Sequence, residues 1–293
     1  MLRKPHTRYH RLHVYYLNRK DVEIADDPDL IGTWIEDDSA IVFFHRSREA
    51  YMQELCRRQG AKIIYQADLD YRDWEAGVEI TSFFTRSLLV APVWEQRAGE
   101  VEGHHTIVLD PSVIFGSGFH ATTRLCLETL ERIMCDPLTG IRTVLDLGTG
   151  TGLLAIAAAK LGAKRVVALD NNPLAVAVAR HNVEMNDCGD RVEVVQHDLN
   201  GGLPDTNYDL VITNLYKGLL IRLFEDTDFW KARFFLVSGF IPGMEGDLLA
   251  ALPTTGIRLL ERSNRERWRL WLLAGQDGAG GVSPSRPEID REA

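Results

Sequence analysis

The residues best placed to do chemistry are three glycines and the acids around them. Thr143 to Gly152 reads TVLDLGTGTG: a β-rich apolar run ends at Asp146-Leu147, and Gly148, Gly150 and Gly152 follow at alternate positions before an alanine-rich stretch. Glycines at such a turn tolerate positive φ and let a ligand approach the backbone closely. The helix behind them offers unpaired N–H groups. Asp170, with Asn171 beside it, ends the next apolar run 22 residues after Gly148. A carboxylate there can hold both hydroxyls of a ribose. Asp198 closes the following run, in VVQHDL, at a position suited to an adenine amino group. Each feature also has a plainer reading. The glycines can form a βα turn without a ligand, Asp170 can cap the helix that starts near Pro173, and Asp198 can be a solvated loop carboxylate.

The spacing narrows the ligand. Dinucleotide sites use GxGxxG, which brings a pyrophosphate onto the helix N-terminus. Here it is GxGxG with Asp146 just ahead, a variant that looks like the S-adenosylmethionine loop, in which no phosphate needs cradling. Asp146 would serve the amino or sulfonium end, directly or through water.

The elements that must position these residues follow from hydrophobic pattern. From Thr106 on, short apolar runs alternate with helical segments, the mark of a parallel α/β sheet. The spacing predicts strands at Thr143–Leu147, Arg165–Leu169, Arg191–Val195, Tyr208–Thr213 and Phe234–Ser238, and a terminal hairpin of Ile257–Arg262 and Trp268–Ala274. Helices are predicted at Thr122–Met134, Gly152–Leu161, Pro173–Asn186 and Tyr216–Phe224. Residues 1–95 read as a small α+β unit with a linker region. Its strands are predicted at Arg11–Leu17, Thr33–Ile35, Ala40–His45 and Ala61–Gln66, and a helix at Ser47–Gln59 with Ser47 as N-cap and Gly60 beyond its end. Trp74 and Trp94 are expected to pack between the two units. Residues 96–105 read as a linker or hairpin loop, 106–275 as the ligand-binding domain, and 276–293 as a disordered tail rich in Gly, Ser, Pro and charge.

Composition bounds the rest. The 293 residues are 45% hydrophobic and 26% charged, ordinary for a globular protein. No run approaches the roughly 20 apolar residues of a membrane span, and the basic N-terminus has no apolar core behind it, so a cytoplasmic protein is expected. The cysteines, Cys56, Cys126, Cys135 and Cys188, show no CxxC or Cys/His ligand spacing, which argues against a disulfide framework or a metal site. A net charge of −9 disfavours direct nucleic-acid binding.

VLDLGTGTG, the acid of VVALD and the loop HDL resemble class I S-adenosylmethionine-dependent methyltransferases. Asp110–Thr123, DPSVIFGSGFHATT, resembles the DPGLAFGTGTHPTT signature of the ribosomal protein L-eleven methyltransferase (PrmA) family. Arg72-Asp73-Trp74, Leu89–Trp94, Val211–Leu215 (VITNL), Ser238–Ile241 (SGFI) and the Trp268 strand fit as well, so the resemblance covers roughly Tyr71 to Ala274. It implies a Rossmann-like, doubly wound, mostly parallel seven-stranded sheet with a small N-terminal α+β domain. It also implies methylation of primary amines, chiefly lysine ε-amino groups, on a protein such as a large-subunit ribosomal protein. A monomer is expected. By that resemblance Thr123, Gly148, Asp170 and Asn214 contact the cofactor, and Phe115 with the Gly116–His120 loop closes over it. The chain departs from the family at Leu215-Tyr216-Lys217, Phe119 and Ala121. The family's N-terminal domain is ferredoxin-like (βαββαβ), and no pattern for its first helix occurs between Leu17 and Thr33.

Methyl transfer from a sulfonium is an in-line displacement with a neutral leaving group, and positioning supplies most of the acceleration. An ordinary lysine costs about 4 kcal/mol to deprotonate at neutral pH. A partly desolvated slot lowers that cost. Asn214, ending the fourth strand, is the candidate catalytic residue, since its side-chain carbonyl can accept a hydrogen bond from the amine and aim the lone pair. His120 is either a base or a residue that holds the glycine loop. Tyr216 could line an acceptor channel, and Lys217 is expected to face solvent. Competing readings are a methyltransferase with another acceptor, a non-catalytic nucleotide-fold binding protein and an NAD-dependent oxidoreductase. The absence of Pro-Pro-Tyr after Asn214 argues against an amino-adenine acceptor, and the GxGxG spacing against NAD.

Overall fold

The computed structural model describes residues 10–25, 27–36, 38–74, 78–95 and 101–278. The linker residues 96–100 and the tail from 279 onward lie outside them.

The N-terminal part is built from β1 (Arg11–Leu17), β2 (Leu30–Glu36), β3 (Ser39–Phe44), α1 (Glu49–Gln59) and β4 (Ile63–Asp70). These strands form an antiparallel sheet in the order β2-β3-β1-β4. That order belongs to a ferredoxin-like unit, while the described residues of the 18–29 connection contain no helix. Gly60 ends α1 in the left-handed region at φ 67°. Ser47 does not cap the helix. The N-cap is Arg48, which makes no side-chain cap bond. Its guanidinium pairs with Asp27 (3.1 Å) and with the buried Asp29, and its N–H donates to Tyr15 Oη at 3.1 Å. These contacts fix the entry to the helix one residue later than the hydroxyl would.

The two faces of this sheet have different partners. Tyr15, Leu17, Val42 and Phe44 pack under Met52, Leu55 and Cys56 of α1. Leu12, Val14, Ile41 and Phe43 form a cluster with Val113, Ile114 and the helix carrying Leu174 and Val178. Trp74 and Trp94 pack on that second cluster, between the two parts as expected.

Next come α2 (Tyr71–Trp74), β5 (Phe83–Phe84), β6 (Leu88–Pro92) and β7 (His105–Leu109). The three strands make a separate small sheet, with β6 and β7 parallel. Leu88 and Val90 join Ile107 and Leu109 in the core of the large domain. Packing therefore assigns β5 and β6 to that core, although they precede residue 95.

The large domain contains α3 (Ala121–Met134), β8 (Thr143–Leu147), α4 (Leu153–Lys160), β9 (Arg165–Asp170), α5 (Pro173–Met185), β10 (Val192–Gln196), β11 (Leu210–Asn214), α6 (Lys217–Glu225), β12 (Phe234–Phe240), α7 (Glu245–Ala251), β13 (Arg258–Arg265) and β14 (Trp268–Ala274). Its seven strands run β10-β9-β8-β11-β12-β14-β13, parallel through β12 and antiparallel at β14 and β13. Alternating side chains fill two layers. Val144, Ile212 and Leu236 pack against α3, α4 and α5, while Leu145, Val211, Phe235 and Trp271 pack against α6, α7 and Phe229. The hairpin turns at Glu266-Arg267, so β13 extends through the residues expected to turn. The short helix α7 was not legible as a pattern. No helix among the described residues is long and apolar enough to cross a membrane.

Candidate active site

The glycine loop joins β8 to α4 at the carboxyl end of the sheet, where open α/β sheets bind ligands. Gly148, Gly150 and Gly152 all have positive φ, at 74°, 56° and 83°. A Cβ on Gly150 would strike the carbonyl of Phe115, so only glycine lets the two loops meet.

The acids gather around this loop. Asp146 shares the face of Val144 on β8, is 2% exposed, and accepts from Thr149 Oγ1 at 2.6 Å. Burial pushes its carboxyl up to about 7, and the neighbouring Asp170 adds to the rise. Asp170 ends β9. Its Oδ2 accepts the Gly150 N–H at 3.0 Å and its Oδ1 the Asn172 N–H at 3.0 Å. Burial raises this carboxyl despite those bonds. No salt bridge among the described residues gives either acid a cation. Buried and half-buried carboxylates left in this way favour a positively charged or hydrogen-bond-donating ligand. Asp170 thus shapes the loop and keeps capacity for a diol.

The neighbouring expectations divide. Asn171 is exposed, and its carbonyl accepts from Gln196. Asn172 is the buried one: its Oδ1 caps α5 through the Leu174 N–H at 2.9 Å, and its Nδ2 has no partner. Asp198 is exposed at the rim and accepts from the Asn200 N–H at 2.9 Å, as a cap of a short turn.

The signature loop closes over the glycines. Thr151 donates its Oγ1 to the Gly116 carbonyl at 2.7 Å and its N–H to that of Phe115 at 3.2 Å. Asn182, fully buried on α5, ties three segments together. Its Nδ2 donates to the carbonyls of Asp110 and Thr151 at 2.9 and 2.8 Å, and its Oδ1 accepts the Asp110 N–H at 2.8 Å. The signal for Asn182 was present: an amide on the otherwise apolar face of Val178, Ala179 and Val183 must find polar partners. Asp110 is itself buried and pushed up to about 7 by desolvation.

His120 caps α3. Its Nδ1 accepts the Thr122 N–H at 3.3 Å, and burial lowers its pKa. The ring lies 5.0 Å from Phe115 and 4.9 Å from Trp268, forming an aromatic row. Phe115 itself is 46% exposed. Thr123, one turn into α3, is buried and meets Asn214: Nδ2 donates to Thr123 Oγ1 at 3.4 Å. Asn214 Oδ1 has no hydrogen bond among the described residues. Lys217 points away, paired with Asp247 on α7 at 2.8 Å, and Tyr216 stands exposed at the rim. Among the described residues no cluster of His, Cys, Asp and Glu is arranged to hold a metal ion.

This sheet order, with its glycine loop and acids, is that of a class I S-adenosylmethionine-dependent methyltransferase. The family model described as Ribosomal protein L11 methyltransferase (PrmA) matches residues 35–274. The protein of that name from Heliobacterium modesticaldum is 34% identical over 263 residues, covering 85% of this chain and 80% of its own length. The one from Desulfitobacterium hafniense is 41% identical over 187 residues, 63% of this chain and 58% of its own length. The solved structure of a ribosomal protein L11 methylase from Lactobacillus delbrueckii subsp. bulgaricus, 28% identical, superposes with a TM-score of 0.58 over 67% of this chain and 99% of that one. The chain belongs to the ribosomal protein L11 methyltransferase (PrmA) family.

Proposed function

We propose that this enzyme methylates amino groups, chiefly lysine ε-amino groups, of a ribosomal protein, with the L11 for which its relatives are named as the first candidate. The observation that carries the reading is a pair of acids beside the glycine loop, the buried Asp146 and the half-buried Asp170, neither paired with a cation among the described residues, with Gly148 abutting Leu215 next to Asn214. S-adenosylmethionine supplies a methyl group activated by its positive sulfur. Asp170 would hold the ribose hydroxyls, and Asn172 Nδ2 is an unsatisfied donor beside it. Asp146 would favour the cationic end through Thr149 or water. Gly148, Gly150, Gly152, Phe115 and Thr123 would shape the pocket, with Asn171 and Asp198 at the adenosine rim.

Asn214 Oδ1 would accept a hydrogen bond from the incoming amine while Thr123 holds the other end of the amide. A partly desolvated slot at this point would disfavour the charged form of that amine, which helps its deprotonation. His120 contributes through the loop it caps. We place the enzyme in the cytoplasm, acting as a monomer.

The test is a transfer assay with radiolabelled S-adenosylmethionine and either purified L11 or the remaining large-subunit proteins. Label on L11 lysines supports the full reading. Label on another protein keeps the reaction and replaces the substrate, an outcome that the 18–29 connection, without a helix among its described residues, makes worth measuring. No label on any protein would overturn the reading.

A further inference from the structure

A cavity lies on the N-terminal side of the Gly116–His120 loop, the lid. Trp34 of β2, Trp74 of α2, Phe115 and His120 wall a cavity of about 270 Å³, with Gly116 and Ser117 also lining it. It falls below the about 300–1,000 Å³ of small-molecule sites, a size for one side chain rather than for a nucleoside. Its walls are held. Trp74 Nε1 donates to the Val113 carbonyl at 3.2 Å, and its ring meets Phe43 edge-on at 5.0 Å. His120 is fixed by Thr122 and flanked by Phe115 and Trp268. The position of the β2 sheet against the lid is fixed as well, by the shared cluster of Leu12, Phe43, Val113 and Leu174.

The lining has a definite chemical preference. Among the described residues it contains aromatic rings and no lysine, arginine or carboxylate. Burial lowers the pKa of His120. Indole and phenyl rings attract cations that are stripped of water, and a flexible hydrocarbon stem with an ammonium head satisfies both the apolar walls and the rings. The cavity also adjoins Gly116, whose carbonyl is bonded to the glycine loop, so its occupant sits directly behind the lid.

We propose that the Trp34–Trp74–Phe115–His120 slot is a specificity subsite that takes a lysine-type alkylammonium side chain of the protein substrate, built jointly by the N-terminal sheet and the lid. This rests on the reading of the enzyme as a protein methyltransferase, and the test has one arm independent of it. In that arm n-butylammonium and its neutral counterpart 1-butanol are titrated into the full chain, following the indole N–H resonances of Trp34 and Trp74. Butylammonium should shift both and bind at least about tenfold more tightly than butanol, the size of one desolvated cation–π contact. Equal binding, or no shift, overturns the proposal whatever the methyl-transfer assay gives.

In the second arm Trp34→Ala should raise KM for the protein acceptor about tenfold. It should leave kcat and the dissociation constant for S-adenosylmethionine within about twofold, and Trp34→Phe should restore most of the loss. Trp34→Leu keeps apolar bulk on the strand and carries the same expectation should the alanine variant fold poorly. An unchanged KM, or a loss confined to kcat, contradicts the subsite.

Discussion

Thr151 Oγ1 donates to the carbonyl of Gly116 at 2.7 Å, so the glycine loop and the lid are bonded to each other through a side chain. Thr151→Val removes the donor and leaves a partly buried carbonyl unpaired, a cost of about 1–3 kcal/mol. Amide hydrogen exchange across residues 116–120 should then speed several-fold in the free protein, and added S-adenosylmethionine should slow it again. Exchange that ignores both the substitution and the ligand would show that the loop is a fixed wall rather than a lid.

Asp170 holds two backbone N–H groups, those of Gly150 and Asn172. Asp170→Ala should therefore lower thermal stability in the free protein and also weaken S-adenosylmethionine binding by at least tenfold, given about 1.5–3 kcal/mol for a hydrogen bond to a charged group. Calorimetry showing lost stability with an unchanged dissociation constant would leave Asp170 as a scaffold residue only.

Asp110 and Asp146 are both raised to about 7 by burial. In the unfolded chain an aspartate titrates near about 3.9. Between those values the folded state binds more protons than the unfolded one, so stability must fall as pH rises. The contribution is fully present below about pH 4 and is lost through about pH 7. Melting temperatures of the free protein should decline across this window. The Asp110→Asn/Asp146→Asn variant, which keeps acceptors for the Ser112 N–H and Thr149 Oγ1, should show a flatter profile. Identical slopes would contradict the assignment.

Gly32 brings β2 against α5: a Cβ there would lie 2.6 Å from Leu174 Cδ1. Gly32→Val should cost about 1–3 kcal/mol through overpacking. Leu174→Ala should relieve part of that cost in the double variant, measured by denaturant unfolding. Strict additivity would mean that the two domains do not press together at this point.

Much of this arrangement was legible because buried parallel strands read as continuous apolar runs. The TVLDLGTGTG turn and the acid closing β9 lie close together in sequence, and both stand at the loop as expected. What escaped was set by distance. The row from Phe115 through His120 to Trp268 joins segments far apart in the chain, and no local pattern announces it. Asn172 rather than its neighbour Asn171 turns inward, because the helix N-cap demands an extended residue with a free acceptor just before Pro173. The displaced start of α1 depended on Asp27 and Asp29, which compete for Arg48 from another loop.

Asn214 closes β11 with its amide nitrogen on Thr123, leaving its carbonyl oxygen as the group able to aim an amine. The direct measurement is a comparison of Asn214→Ala with the parent enzyme, taking kcat at saturating S-adenosylmethionine and protein acceptor together with the cofactor's dissociation constant. Loss of one oriented hydrogen bond at the reacting centre should lower kcat about 10²-fold, with far less change in cofactor binding, the signature of an interaction made in the transition state. A variant that binds cofactor poorly yet turns over normally at saturation would assign Asn214 to the cofactor alone and contradict its role in catalysis.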